Sequence, residues 1–255
     1  FNKILKQDSK NVAALFNKGL ALNKIKKYTD SVTCFDKLIE IDPKDAQAYN
    51  NKGIAMAEMG NIQSAAECYE KAIEVDPKYA ASYFNKGVLL DKLQEHEEAL
   101  TTLEKAISID SRKPNAMVYK GIVLGKMKRH EEALNCFQNI CKKYPNNQDA
   151  FFQKGVQLAE LGKHEKALDV FDEILKKFKD NVNVVYAKSR SKAALEMYPE
   201  ALELLKHAIS RNPKIIHYLW SRHLSGGIIP KRSKMSGNFI VTDPNVQTLS
   251  YHTES

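Results

Sequence analysis

The chain has 255 residues, 43% hydrophobic and 27% charged, with a formal charge of +8 from 39 basic and 31 acidic side chains. Leu, Ala, Lys and Glu dominate and glycine is sparse, which favours helix over sheet, and no apolar run approaches the roughly 20 residues that a membrane-spanning helix needs. The four cysteines, Cys34, Cys68, Cys136 and Cys141, show neither a CxxC motif nor a Cys/His ligand spacing; this argues against zinc and disulfides and for packing residues in a reducing, cytoplasmic compartment.

Phe1, Ile4 and Leu5 carry the spacing of Phe35, Leu38 and Ile39, so residues 1–11 read as the tail of a repeat that began earlier. More repeats or another domain are expected before Phe1. Gly19, Gly53, Gly87, Gly121 and Gly155 then follow at a constant interval of 34 residues. Four of them sit in one local phrase: Asn17-Lys18-Gly19, Asn51-Lys52-Gly53, Asn85-Lys86-Gly87 and Gln153-Lys154-Gly155. A fixed period of this length marks a stack of small units, none of which buries its apolar face alone. Aligning on the glycine gives six units: 12–45, 46–79, 80–113, 114–147, 148–181 and 182–215.

In unit 46–79, Tyr49, Ile54, Met56 and Met59 recur at helical spacing ahead of a break at Gly60-Asn61. A second amphipathic run through Ala65, Ala66, Tyr69, Ala72 and Ile73 closes at Asp76-Pro77, which predicts two short helices joined by a tight turn. The second helices carry a column of small residues (Ser31, Ala65, Ala99, Ala133, Ala167, Ala201) and a column of large ones (Phe35, Tyr69, Leu103, Phe137, Phe171, Leu205). Glycine and alanine let the two backbones approach while the large side chain fills the space beside them. Pro43, Pro77, Pro145 and Pro213 end second helices, and Asp45, Asn147 and Asn181 stand where a short polar side chain caps the next helix. Ser111 and Lys179 replace the terminal proline, which loosens the boundaries after the third and fifth units. Ser189 and Lys192, in place of glycine and an apolar residue, loosen the packing of the sixth. Beyond the array, Ile215, Ile216, Leu219, Trp220 and Leu224 predict one more helix, 216–227, that caps the last apolar face. Residues 228–255 lose the pattern and read as a flexible tail.

Spacing, glycine, alanines, aromatic and proline together resemble the tetratricopeptide repeat (TPR) over 12–215, and the Asn-Lys-Gly phrase is similar to archaeal and bacterial members. The resemblance implies an all-α, right-handed α-solenoid of six helix-turn-helix repeats with a C-terminal capping helix. It also implies that the first helices line a concave groove. That side of the pattern carries Phe16, Asn17, Leu20, Asn50, Asn51, Ile54, Phe84, Asn85, Val88, Tyr119, Phe152, Gln153, Tyr186 and Arg190. A carboxamide both donates and accepts, so a column of asparagines can hydrogen-bond the backbone of an extended peptide while the flanking rings take alternate side chains. Asn17, Asn51 and Asn85 resemble the asparagine ladder of O-linked N-acetylglucosamine transferase; Tyr119, Gln153 and Ala187 break it. The expected function is therefore a non-enzymatic scaffold that binds a partner peptide or helix. The alternative is a substrate-recruiting or regulatory arm of a larger enzyme or secretion complex whose active part lies upstream.

Other candidates carry less. His96, His130 and His164 recur every 34 residues where Tyr28 and Tyr198 stand elsewhere, so the expected role is a ring packed between helices. Adjacent repeats hold such rings about 10 Å apart, too far to share one metal. Glu97-Glu98 and Glu131-Glu132 open second helices, where negative charge suits the exposed amides, and no nucleophile elbow or phosphate-binding loop is present. No enzyme, metal or cofactor is expected. Lys18, Lys52, Lys86, Lys120, Lys154 and Lys188 form a ladder on the packing side of the first helices, expected to reach helix-terminal carboxylates such as Asp42 and Asp76. Basic clusters at Lys24/Lys26/Lys27, Lys142/Lys143 and Lys176/Lys177/Lys179 fall at helix ends; without an aromatic-plus-glycine signature, nucleic acid is not the expected partner. The pairs Phe16/Leu20, Asn50/Ile54 and Phe84/Val88 put no lysine in the groove, so a chaperone-type carboxylate clamp is not expected either.

Overall fold

Thirteen helices alternate with short connections over the residues that the structure, a computed structural model, describes: 1–178 and 181–211. The expected cap at 216–227, Trp220, the tail 228–255, Lys179 and Pro213 lie outside them. The chain divides into a unit Phe1–Ala208, which holds the helical array, and a unit Ile209–Ser255, of which only the start is described. A short α1 (Asn2–Gln7) places Leu5 against Leu15, Phe35 and Leu38. Five helical hairpins follow: α2 (Val12–Lys24) with α3 (Tyr28–Ile41), α4 (Ala46–Glu58) with α5 (Ile62–Val75), α6 (Ala80–Lys92) with α7 (His96–Ile109), α8 (Pro114–Lys126) with α9 (His130–Lys143), and α10 (Gln148–Glu160) with α11 (His164–Lys177). Then come α12 (Val182–Ala194) and α13 (Tyr198–Arg211).

The turn inside each hairpin has one chemistry. The first helix ends with a residue at positive φ, and that column reads Lys26, Gly60, Gln94, Lys128, Gly162 and Glu196. The amide of the following residue reaches back five positions, as in Lys27 to the Leu22 carbonyl (2.9 Å) and Asn61 to that of Met56 (2.9 Å). The positive-φ amide itself bonds the carbonyl three residues earlier, for example Gly60 to Ala57 at 3.1 Å. This doubly bonded left-handed ending satisfies carbonyls that the helix leaves open.

Connections between hairpins are built differently. The Asp8, Asp42, Asp76 and Asp110 side chains each accept the amide two residues on, at 2.9–3.1 Å. The expected caps are present: Asp45 accepts from the Ala48 amide, Asn147 from Ala150 and Asn181 from Val184, and Asn11 does the same for Ala14. Where Ser111 replaces proline, the Tyr144 hydroxyl donates to the carbonyls of Ser111 (3.1 Å) and Arg112 (2.8 Å), so a side chain of the next hairpin holds the connection.

Glycine in each first helix faces the large column of the second. A Cβ would lie 2.7 Å from Phe35 at Gly19, 2.6 Å from Tyr69 at Gly53 and 2.5 Å from Phe171 at Gly155. The rings of Phe35, Phe137 and Phe171 and the methyls of Ala65, Ala99, Ala133 and Ala167 are fully buried. Ser31, in the small column, donates to the Gly19 carbonyl at 2.8 Å. Ser189, in the glycine column, turns its hydroxyl onto the Tyr186 carbonyl at 2.8 Å. From α2 to α12 each second helix also packs against the first helix of the next hairpin. Consecutive first helices touch each other, whereas consecutive second helices make no comparable contact, so the first helices form the tighter, inner face of the stack.

The lysine ladder differs from its expected pairing. Lys52 meets Asp36 at 2.7 Å, Lys86 meets Glu70 at 2.9 Å, Lys120 meets Glu104 at 2.7 Å, and Lys188 meets Asp172. These carboxylates lie inside the preceding second helix, sixteen residues back, because Asp42 and Asp76 are turned onto the Lys44 and Lys78 amides. At Lys154 the equivalent position is Gln138, and the ammonium instead stands 5.9 Å from the Phe151 ring centre.

Candidate functional site

The sequence-predicted site residues lie on the first helices α2, α4, α6, α8, α10 and α12. Phe16 and Leu20 are half-buried over the first hairpin, with the Phe16 ring edge-on to Phe35 at 6.1 Å. Phe84 meets Tyr119 edge-on at 6.0 Å, and Phe152 lies tilted on Phe171 at 6.3 Å. Half-buried rings of this kind leave part of their apolar surface for a ligand while their packing fixes their orientation. Gln153 and Tyr186 are half-buried and Arg190 is exposed, 3.7 Å from Glu160.

The asparagines differ from one another. Asn17 donates to the Ala13 carbonyl at 2.9 Å and Asn51 to that of Gln47 at 2.8 Å, each one turn back on its own helix. Their side-chain oxygens accept nothing from the described residues. Asn85 instead donates to Asn50 Oδ1 (2.8 Å), which also receives the Ser82 hydroxyl at 3.3 Å. Asn50 is thus buried between α4 and α6, so it holds two hairpins in register and offers little to a ligand.

Where the asparagine column gives way to Tyr119, a charged cluster appears. The Asp91 side chain is wholly buried; its Oδ2 accepts from the Tyr119 hydroxyl (2.8 Å) and from Lys126 Nζ (2.5 Å). His96 Nδ1 stands 3.1 Å from Asp91 Oδ1, within ion-pair range but without hydrogen-bond alignment. Burial by itself pushes the Asp91 carboxyl up, but the hydrogen bonds from Lys126 and Tyr119, with the charges of Lys126 and His96, outweigh it and hold the group below the ordinary carboxylate value. Burial and the Asp91 partnership push the Tyr119 hydroxyl far up, so Tyr119 stays a donor. One hairpin on, His130 Nδ1 pairs with the buried Gln157 Oε1 at 2.9 Å; one further on, the shorter Ser191 leaves its hydroxyl and His164 Nδ1 without a hydrogen-bond partner among the described residues.

His130 therefore links two hairpins through Gln157, whereas His96 faces Asp91 within its own hairpin. Sequence reasoning missed Asp91 and Gln157. The signal for Asp91 was its column, which elsewhere reads Asn23, Ala57, Gly125, Ala159 and Ala193: one acid among small or neutral residues. Burial pushes all four cysteine thiols up, which leaves them protonated and poor nucleophiles.

Paired helices at a 34-residue period, with glycine seated on a buried ring, lead directly to the comparisons. Family models described as "Tetratricopeptide repeat" match residues 46–79 and 68–101, one described as "TPR repeat" matches 19–60, and "Psidin, N-terminal TPR repeats region" matches 89–221, just over half of the chain. The chain belongs to the tetratricopeptide repeat family. Among solved TPR structures it is similar to YrrB, described as "a TPR protein with an unusual peptide-binding site", at 27% identity over 74% of this chain and 97% of that one, with a TM-score of 0.57. The pilF protein of Pseudomonas aeruginosa aligns at 19% identity over 86% and 99%, with a TM-score of 0.70. A tetratricopeptide repeat protein from Parabacteroides merdae aligns at 16% over 88% and 89%, with a TM-score of 0.67. Among curated proteins none matches. At these identities the last two comparisons speak to the TPR fold alone.

Proposed function

We propose that this TPR array is a non-enzymatic scaffold that binds an extended segment of a partner protein along its inner, first-helix face. One observation carries the reading: Asn17 and Asn51 are each pinned to their own helix through one N–H, which leaves a fixed carboxamide oxygen and a second N–H for a peptide backbone. Half-buried Phe16, Phe84, Tyr119 and Phe152 flank that column as apolar seats. The peptide-binding site of YrrB, similar at 27% identity, supports peptide binding by an array of this kind. Asn85, which spends one N–H on Asn50, is the last asparagine of the column, so the polar clamp spans the first three hairpins and side-chain recognition dominates beyond. Buried, protonated cysteines fit a reducing, cytoplasmic setting.

The test is selection of peptides from a displayed random library on the full chain, followed by titration of the best binder against the Asn17→Ala/Asn51→Ala/Asn85→Ala variant. Three lost hydrogen bonds weaken the peptide tenfold or more, at about 1 kcal/mol each. Unchanged affinity with intact helicity assigns the asparagines to the repeat stack alone.

A further inference from the structure

The edge of the stack formed by the connections between hairpins changes character along its length. The last helical turn and C-cap of the second helices read Glu40-Ile41-Asp42, Glu74-Val75-Asp76 and Ser108-Ile109-Asp110, then Lys142-Lys143-Tyr144 and Lys176-Lys177-Phe178. At the same three positions a pattern of acid or serine, aliphatic and acid has become lysine-lysine-aromatic in two successive hairpins.

A cation in the last turn of a helix usually complements its dipole, and that would explain any one of these lysines. It does not explain the switch. The helices α3, α5 and α7 have no basic residue in the last turn and are formed equally well. Lys142, Lys143, Lys176 and Lys177 are all exposed, and none has a carboxylate partner among the described residues. Lys143 alone is engaged, with the Ser111 carbonyl at 3.0 Å and over the Tyr144 ring at 5.4 Å. Exposed Arg112 and Lys113 lie on the connection that Tyr144 holds. Of the nearby acids, Asp110 is tied to Arg112 at 3.3 Å and to the backbone, leaving exposed Asp149 and Glu173. Phe178 follows Lys177 with 48% of its surface in water, the aromatic exposed on this edge, whereas the Tyr144 ring packs into the core.

We propose that this edge of the fourth and fifth hairpins is a second docking surface, distinct from the inner face, for an acidic protein segment with an apolar residue that seats on Phe178. Lysine pairs about 10 Å apart, one helical hairpin from the next, match a run of Asp and Glu rather than a single carboxylate. Lysines act as point charges that tolerate variable spacing. A nucleic-acid strand would want successive stacking platforms, and the Tyr144 ring is already covered by Lys143.

The experiment uses the full chain and two fluorescent probes: a twelve-residue peptide of Asp and Glu with one central Leu, and a twelve-nucleotide oligouridylate. Binding is read by anisotropy at low and moderate salt. The expected result is peptide binding that weakens with salt, and about tenfold loss in the Lys142→Gln/Lys143→Gln/Lys176→Gln/Lys177→Gln variant, whose glutamines keep helix propensity. Phe178→Ala weakens the peptide several-fold, and Lys44→Gln/Lys78→Gln, on the same edge of earlier hairpins, leaves it unchanged. Equal affinity of wild type and the quadruple variant overturns the proposal, as does stronger binding of the oligouridylate. So does a loss in the Lys44/Lys78 control as large as in the quadruple variant.

Discussion

Gly155→Ala is the substitution whose outcome the packing decides most sharply. A methyl at this position would stand 2.5 Å from Phe171 Cε1 and 3.0 Å from Cδ1 and Cζ, whereas comfortable carbon contacts lie at about 3.5–4 Å. Phe171 is fully buried, so its ring cannot rotate away, and α11 must withdraw by about 1 Å, the shortfall from a comfortable contact. Overpacking of this kind costs about 1–3 kcal/mol, against about 1 kcal/mol gained from replacing a helical glycine by alanine. The net loss is up to about 2 kcal/mol, read as a lower urea midpoint at unchanged slope. In a Phe171→Val background the three contacted ring atoms are gone, and there Gly155→Ala raises the midpoint. That reversal of sign is the diagnostic. If Gly155→Ala stabilises the wild-type chain, or acts equally in both backgrounds, glycine is not there to admit the ring.

Four further outcomes follow from the same geometry. Asp91 titrates below its unfolded value in the native state, so its contribution is fully present above the ordinary value of 3.8 and is lost as pH falls through the lowered native one. Asp91→Asn therefore destabilises at neutral pH and flattens the acid limb of the stability curve; an unchanged limb in thermal melts would show that the cluster is electrostatically inert. In the hairpin turns, Lys26→Gly and Lys128→Gly, each at φ 61°, relieve left-handed strain and raise stability by up to about 1 kcal/mol, while Gly60→Ala and Gly162→Ala lower it by a similar amount. Gln138→Glu completes the ladder beneath Lys154 and adds about 0.2–1 kcal/mol, an increment that disappears in high salt. Peptides ending in a free carboxylate gain nothing from it at the inner face, and micromolar calorimetric binding that is lost on amidating the terminus would refute this.

The repeat fold was legible because its determinants are local and recur. The glycine column, the alanine column and the helix caps each impose one steric or hydrogen-bonding demand at a fixed offset, and most units repeat it. The helical phase of the first helices assigned Phe16, Phe84, Tyr119 and Phe152 with Asn17 and Asn51 to one column set, and the structure puts each of them on a first helix. The finer polar contacts were not legible, because they depend on reach between neighbouring hairpins. Period alone cannot say that Lys52 finds Asp36 while Asp42 turns onto a backbone amide. Nor does the phrase Asn85-Lys86-Gly87 reveal that Asn85 is drawn to Asn50 when Asn17, in the same phrase, bonds its own helix. Asp91 escaped because a single acid in a small-residue column reads as surface until Lys126 and Tyr119, 28 or more residues on, are seen to close over it.

Among the described residues, the contacts of each hairpin of the array are with its immediate neighbours. Tension applied across the helical array would therefore load the hairpin interfaces in series. Such a chain yields stepwise, one helix pair at a time, and re-zips from whatever remains docked. Held between two partners, it would behave as a compliant tether whose length reports the pull on it.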